Sequence, residues 1–121
     1  MSKLDAHMEK LGVVILIPTY NNDRYLAGVI DDVLAHTSHV LIVNDGATDS
    51  TPEILSRYGN KLTVFDQGYN QGKGASLQRG FKEAANLGYK YVLTLDSDGQ
   101  HLASDIPVFL EKLDTNPGSL I

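Results

Sequence analysis

No cysteine occurs among the 121 residues, so disulfides and thiolate metal sites are excluded, and the absence fits a reducing compartment. No apolar run is long enough to cross a bilayer, so the chain carries no membrane segment of its own. Met1 to Lys10 lacks the basic-then-apolar order of a secretory signal. Positive charge is scarce: 10 Lys and Arg stand against 15 Asp and Glu, and the net charge of −5 argues against a nucleic-acid surface. An acidic protein that binds an anionic ligand must supply positive charge locally, which a metal ion would do. Internal repeats and low-complexity tracts are also missing. What remains is an ordinary globular composition, 42% hydrophobic and 21% charged, on a length that suits one small domain.

From Val13 onward, short apolar runs alternate with amphipathic stretches, the rhythm of a three-layer α/β/α fold with a mainly parallel sheet. Val13 to Ile17 is wholly aliphatic and bounded by Pro18, which predicts a central strand. Leu26, Val29, Ile30, Val33 and Leu34 recur at helical spacing, with Asn22 or Asp23 placed to cap the helix. Val40 to Val43 reads as a second strand. Ser50, Thr51, Pro52 and Glu53 carry a capping-box pattern that opens a helix to about Tyr58. Leu62 to Phe65 is a third strand, followed by a helix with Leu77, Phe81 and Ala84 on one face and Gly88 as its stop. Tyr91 to Leu95 reads as a fourth, buried strand. A last helix runs from near Ser104 to Leu113, and Leu120 and Ile121 look like a strand just beginning. The expected organisation is an extension over residues 1–12 and one domain over residues 13–121, truncated at its carboxyl end. His7, His36 and His39 show no partner pattern and are expected to be exposed.

Chemistry is expected beyond the carboxyl ends of the strands, where open parallel sheets bind ligands. Those ends carry Pro18-Thr19-Tyr20-Asn21, Asn44 to Asp49, the Gly72-Lys73-Gly74 loop, and Asp96-Ser97-Asp98-Gly99-Gln100. All four polar clusters should share one rim. Alternation along an extended chain points Asp96 and Asp98 to the same side, where their charges repel unless a cation joins them. Magnesium or manganese suits this best, because hard ions bind through one or two carboxylates plus phosphates. Asp45-Gly46 is also a simple turn dipeptide, and Asp49 is better placed to start a helix than to touch ligand.

Taken together, Pro18-Thr19-Tyr20-Asn21, Val43-Asn44-Asp45-Gly46 with Asp49-Ser50-Thr51, Asn70-Gln71-Gly72-Lys73-Gly74 and Asp96-Ser97-Asp98-Gly99-Gln100-His101 resemble the nucleotide-binding half of the family 2 inverting glycosyltransferases, which have the GT-A fold. The nearest flavour is that of the dolichyl- and polyprenyl-phosphate sugar synthases. The resemblance implies a donor site in which Pro18, Thr19 and Tyr20 line the base and ribose pocket and Asp45 accepts from the base. It places Lys73 near the nucleotide, has Asp96 and Ser97 meet the donor, and implies Asp96, Asp98 and Gln100 as ligands of magnesium or manganese. It further implies a UDP- or GDP-linked sugar donor, inversion by direct displacement, and a hydroxyl or phosphate acceptor, a lipid phosphate among them. The general base is expected beyond Ile121, and the location is cytoplasmic, at the cytoplasmic face of a membrane in the full-length protein.

Asn44, Ala47, Ser97 and Leu102 depart from the family's usual acid, serine, motif centre and proline, and the first three weaken any assignment of the donor base. Three other readings compete. A non-catalytic nucleotide-sugar-binding module would share the same rim. An aspartate-nucleophile phosphatase would use Asp96 to attack phosphorus and Asp98 as acid or base, yet needs a lysine and further acids downstream. A phosphate-cradling loop at Gly72-Lys73-Gly74 fails on spacing, since Gly68 precedes Gly72 by one residue too few and Gly74 stands where Ser or Thr should be. His101 is a further candidate ligand, although a loop histidine is more often a surface residue.

Overall fold

The computed structural model describes residues 9–97 together with positions 6, 106, 107 and 111. Strands β1 (Val13–Thr19), β2 (Val40–Asn44), β3 (Thr63–Asp66) and β4 (Tyr91–Thr94) form a parallel sheet in the order β3-β2-β1-β4. Helix α1 (Asp23–Leu34) joins β1 to β2, α2 (Thr51–Ser56) joins β2 to β3, and α3 (Lys73–Asn86) joins β3 to β4. The helix expected from Ser104 to Leu113 lies outside the described residues except at positions 106, 107 and 111, and so does the strand start at Leu120.

The order of strands explains the layers. From β1 the chain steps to β2 and on to β3, then returns past β1 to reach β4. Parallel crossovers are right-handed, so reversing the direction of travel moves the connecting helix to the opposite face. The packing agrees: α1 and α2 bury Leu26, Ile30, Val33, Ile54 and Leu55 with Val13, Ile15 and Ile17, whereas α3 buries Ala84 with Val14, Leu16, Leu41 and Val43. Alternate residues of β1 thus feed two cores, as a strand covered on both faces requires.

Several boundaries differ from expectation for physical reasons. Pro18 lies inside β1, paired with Val43. Its nitrogen faces the β4 side, where pairing has ended at Leu16 and Thr94, so its missing N–H costs no ladder bond. β4 is only half-buried at Tyr91, Val92 and Leu93, because among the described residues it pairs with β1 alone. α3 does not bury Phe81, which is 47% exposed. Its inner stripe is Ser76, Gly80 and Ala84, and a Cβ at Gly80 would lie 2.5 Å from the Leu16 δ carbons, so small residues let the helix sit close to the sheet. Gly88 does close the helix: its φ is +93° and its N–H donates to Ala85 O. His36 and His39 are half-buried rather than exposed, and His39 Nδ1 lies 3.1 Å from the Tyr89 hydroxyl.

Candidate donor-binding cleft

At the carboxyl rim of the sheet a cleft of about 350 Å³ opens between the ends of β1, β2 and β4 and the start of α3. It sits where the chain reverses its direction across the sheet, the position at which open α/β sheets bind ligands. The sequence candidates Pro18, Thr19, Tyr20, Asp45, Lys73, Asp96 and Ser97 all line it, so residues from four separate loops meet in one place. Asp98, Gln100 and His101 lie outside the described residues.

Asp45 forms the back of the cleft. It follows β2 directly, is 3% exposed, and its own N–H donates to Thr19 O at 2.9 Å. Its carboxylate accepts the Gln71 N–H on Oδ1 at 2.8 Å and the Gly72 N–H on Oδ2 at 2.9 Å. The side chain therefore ties the β3–α3 loop to the end of β2, and each oxygen keeps capacity for a second donor. The loop comes this close only because position 46 is glycine: Gly46 has φ +70°, and a Cβ there would lie 2.2 Å from the Tyr69 carbonyl carbon. What reads in sequence as a simple turn is a site where one backbone crosses another.

Lys73 and Asp96 carry the charge of the cleft. The Lys73 ammonium donates to Asp96 Oδ1 at 2.8 Å, and both groups are accessible, 65% and 29% exposed by side chain. Beside them the buried Ser97 accepts a hydrogen bond from the Asn22 amide at 2.7 Å. Asn22 was expected as a helix cap. It stands at the N-cap position of α1 but makes no capping bond, because its side chain reaches across to Ser97.

Capping falls to Asp49 instead. Its Oδ1 accepts the Thr51 N–H at 2.9 Å and its Oδ2 accepts the Asp23 N–H at 3.1 Å, so one carboxylate starts both α2 and α1. The Ser50 side chain makes no cap bond, and α2 ends at Ser56 rather than Tyr58. Burial pushes the Asp49 carboxyl up, but hydrogen bonds from Thr51 and Asp23 outweigh it and hold the group below its ordinary range.

Four lining residues, Asn22, Asn70, Gly72 and Ser76, were not foreseen as site residues. Asn70 accepts the Gly72 N–H at 3.0 Å and walls the β3 side. Ser76 is fully buried on α3 and faces the cleft, and its only sequence signal is a serine in a stripe otherwise held by Gly80 and Ala84.

The carboxylate of Asp96 suits a hard divalent cation, which commonly binds proteins through one or two carboxylates while phosphates complete its shell. Among the described residues no group of three acidic, histidine or cysteine side chains is gathered to hold a metal, so the fit rests on Asp96 with its accessible oxygens. No helix among the described residues is long and apolar enough to cross a membrane.

Several known proteins are similar to this chain. A UDP-N-acetylglucosamine–dolichyl-phosphate N-acetylglucosaminyltransferase of Methanococcus voltae is 26% identical over 117 aligned residues, covering 84% of this chain and 47% of that protein. A dolichyl-phosphate beta-glucosyltransferase of Trichomonas vaginalis is 31% identical over 112, covering 81% of this chain and 33% of its own length. The chain thus spans between a third and a half of these relatives. Among solved structures, glucosyl-3-phosphoglycerate synthase from Mycobacterium tuberculosis in complex with UDP superposes with a TM-score of 0.74 at 21% identity, over 96% of this chain and 44% of that one. S. aureus TarS gives 0.71 at 24% identity, over 87% and 33%. These likenesses carry the fold, the expected GT-A arrangement. The profile described as Glycosyl transferase family 2 matches residues 14–121, and the chain belongs to that family.

Proposed function

We propose that this chain is the donor-binding part of an inverting glycosyltransferase that takes a UDP- or GDP-linked sugar and transfers it to an oxygen acceptor. The observation that carries this reading is the convergence of Asp45, Lys73 and Asp96, from three different loops, on the cleft that also holds Pro18, Thr19 and Tyr20. In this reading the Asp45 carboxylate accepts an N–H of the base, a charge-assisted contact with a fixed direction. Tyr20, 42% exposed at the rim, covers the base and ribose. Lys73 turns from Asp96 to the diphosphate. The ligands proposed for magnesium or manganese are Asp96, Asp98 and Gln100. Such an ion stabilises charge on the departing nucleoside diphosphate.

The dolichyl-phosphate specificity of the relatives from Methanococcus voltae and Trichomonas vaginalis supports a lipid phosphate as acceptor, which would place the full-length protein at the cytoplasmic face of a membrane. Metal use is supported by the Mn2+ complexes of the Mycobacterium tuberculosis synthase. The base that deprotonates a hydroxyl acceptor belongs to the region beyond Ile121. Family membership displaces the phosphatase alternative.

The test is calorimetric titration of the full-length protein with UDP and GDP, with and without manganese. Metal-dependent binding of one nucleotide is expected, and Asp98→Ala should abolish the metal dependence with little change in melting temperature. Binding that ignores manganese would remove the metal from the donor site. No binding of either nucleotide by a folded sample would remove the donor site itself.

A further inference from the structure

The asparagine at the head of α1 is committed to a residue 75 positions away. Asn22 stands at the N-cap position, where an asparagine ordinarily accepts a backbone N–H of the first turn. Its side chain makes no capping bond, and the Asp23 N–H donates to Asp49 Oδ2 instead. The Asn22 amide donates to Ser97 Oγ at 2.7 Å, and Ser97 is 2% exposed. Both residues line the cleft, and Ser97 is the middle residue of Asp96-Ser97-Asp98.

Extended backbone turns successive side chains to opposite faces, and around β4 those faces are occupied differently. Leu93 and Leu95 pack with the core under α1 and α2, whereas Val92 packs with the core under α3. β4 ends at Thr94, and the Leu95 N–H still donates to Leu16 O at 3.0 Å. Past that point the alternation continues through side-chain bonds. Asp96 meets Lys73 at the head of α3, and Ser97 meets Asn22 at the head of α1.

We infer that Asn22 is a positioning residue for the Asp96 carboxylate and acts through Ser97. By holding Ser97 on the α1 side, it fixes the peptide before it, so that Asp96 is turned to the α3 side of the cleft. This rests on the donor-binding reading above, in which Asp96 ligates magnesium or manganese. In that reading Lys73 leaves Asp96 for the diphosphate, so the ion pair that orients the carboxylate in the empty cleft is lost when the ligand arrives. The bond from Asn22 lies on the opposite side of the chain and persists. Partners behind a metal's ligands are worth about 10-fold to 100-fold in metal affinity. Asn22 grips the neighbour of a ligand rather than its carboxylate, which sets the expected effect at the lower end.

The experiment titrates the full-length protein with UDP and GDP, with and without manganese, as wild type, Asn22→Ser, Asn22→Ala, Ser97→Ala and the double variant Asn22→Ala/Ser97→Ala. Melting temperature is recorded without ligand. Asn22→Ser keeps a residue favoured at an N-cap, but its hydroxyl is one bond shorter and ends short of Ser97. It should melt with wild type and lose about tenfold in affinity for the preferred nucleotide in manganese, while its weak metal-free affinity is unchanged. Asn22→Ala should show the same selective loss. Ser97→Ala should repeat the loss in manganese, and the double variant should lose no more than either single one, because all three remove one bond. Unchanged affinity in manganese for folded Asn22→Ser and Asn22→Ala overturns the inference and leaves the donor site standing. An equal loss with and without manganese overturns it too, since direct contact with the nucleotide or a weakened fold would act on both. Additive losses in the double variant overturn the route through Ser97. Wild type that binds neither nucleotide, or binds one without regard to manganese, overturns the donor and metal reading and this inference with it.

Discussion

Asp45 should matter to folding before it matters to any ligand. Its carboxylate is 3% exposed and receives two backbone amides, from Gln71 at 2.8 Å and Gly72 at 2.9 Å. A hydrogen bond to a charged group contributes about 1.5 to 3 kcal/mol, so the pair sets an upper figure of roughly 3 to 6 kcal/mol. Two features lower it. Gln71 is exposed and recovers water when the carboxylate is gone, and Gly72 N–H keeps a second acceptor in Asn70 Oδ1 at 3.0 Å. Asp45→Ala should therefore cost about 2 to 3 kcal/mol, and Asp45→Asn, which retains one acceptor but turns a donor toward an amide, about 1 to 2 kcal/mol. Urea unfolding gives the totals, and hydrogen exchange at the Gln71 and Gly72 amides locates them. A residue that only contacts ligand would leave both measurements unchanged. Stability within about 0.5 kcal/mol of wild type, with both amides still protected, would refute the clamp.

Other consequences follow from the same contacts. Gly46→Ala puts a Cβ 2.2 Å from the Tyr69 carbonyl carbon at φ +70°, so it should destabilise by about 3 kcal/mol and expose the Gln71 amide to exchange; a variant as stable as wild type would mean the loop does not cross there. Lys73→Ala should change stability by less than about 1 kcal/mol, since the ion pair with Asp96 is solvent-accessible, yet weaken UDP or GDP binding; intact affinity would remove Lys73 from the donor site. Asp49, held below its ordinary value of 3.8, stabilises the fold above that pH and loses its contribution as pH falls below it. The stability gap between wild type and Asp49→Asn, measured by urea unfolding, should therefore shrink as pH drops through that window, and a gap that widens there would contradict the sign.

The parts legible in sequence were those fixed by local pattern. β1 and β2 are continuous aliphatic runs because both faces of the sheet are covered, and Gly88 marks the end of α3 through its own φ. The meeting of four loops was legible too, because the carboxyl ends of parallel strands share one side. What could not be read were choices settled by distant partners. Asn22 and Ser50 have the chemistry of caps, but Ser97 lies 75 residues from Asn22, and the acceptor that starts α1 is Asp49, 26 residues away. Phe81 fitted the apolar face by periodicity and lost to Gly80, because closeness to Leu16 leaves room for no side chain. Ser76 gave no warning, since its place on the cleft wall is set by how closely α3 sits on the sheet.

Those distant partners form a pattern of their own. The β4 loop is bonded to the β1 loop through Ser97 and Asn22, and the β1 loop to the β2 loop through Asn21 with Thr48 and through Asp23 with Asp49 and Ser50. The β2 loop holds the β3 loop through Asp45, and the β3 loop returns to the β4 loop through Lys73 and Asp96. The links close a ring around the mouth of the cleft. Asn21 takes a left-handed φ of 51° to join it, a conformation that asparagine tolerates better than most residues. Rigid elements alone fix the strand ends, not the side chains beyond them, and a site must hold its groups to a fraction of an ångström to be useful. In this ring the buried links, Asp45 and Ser97, brace the loops, while the links of Lys73 with Asp96 and of Asn21 with Thr48 are exposed and weaker. A ligand that draws Lys73 away opens the ring at an exposed link and leaves the buried links of Asp45 and Ser97 in place.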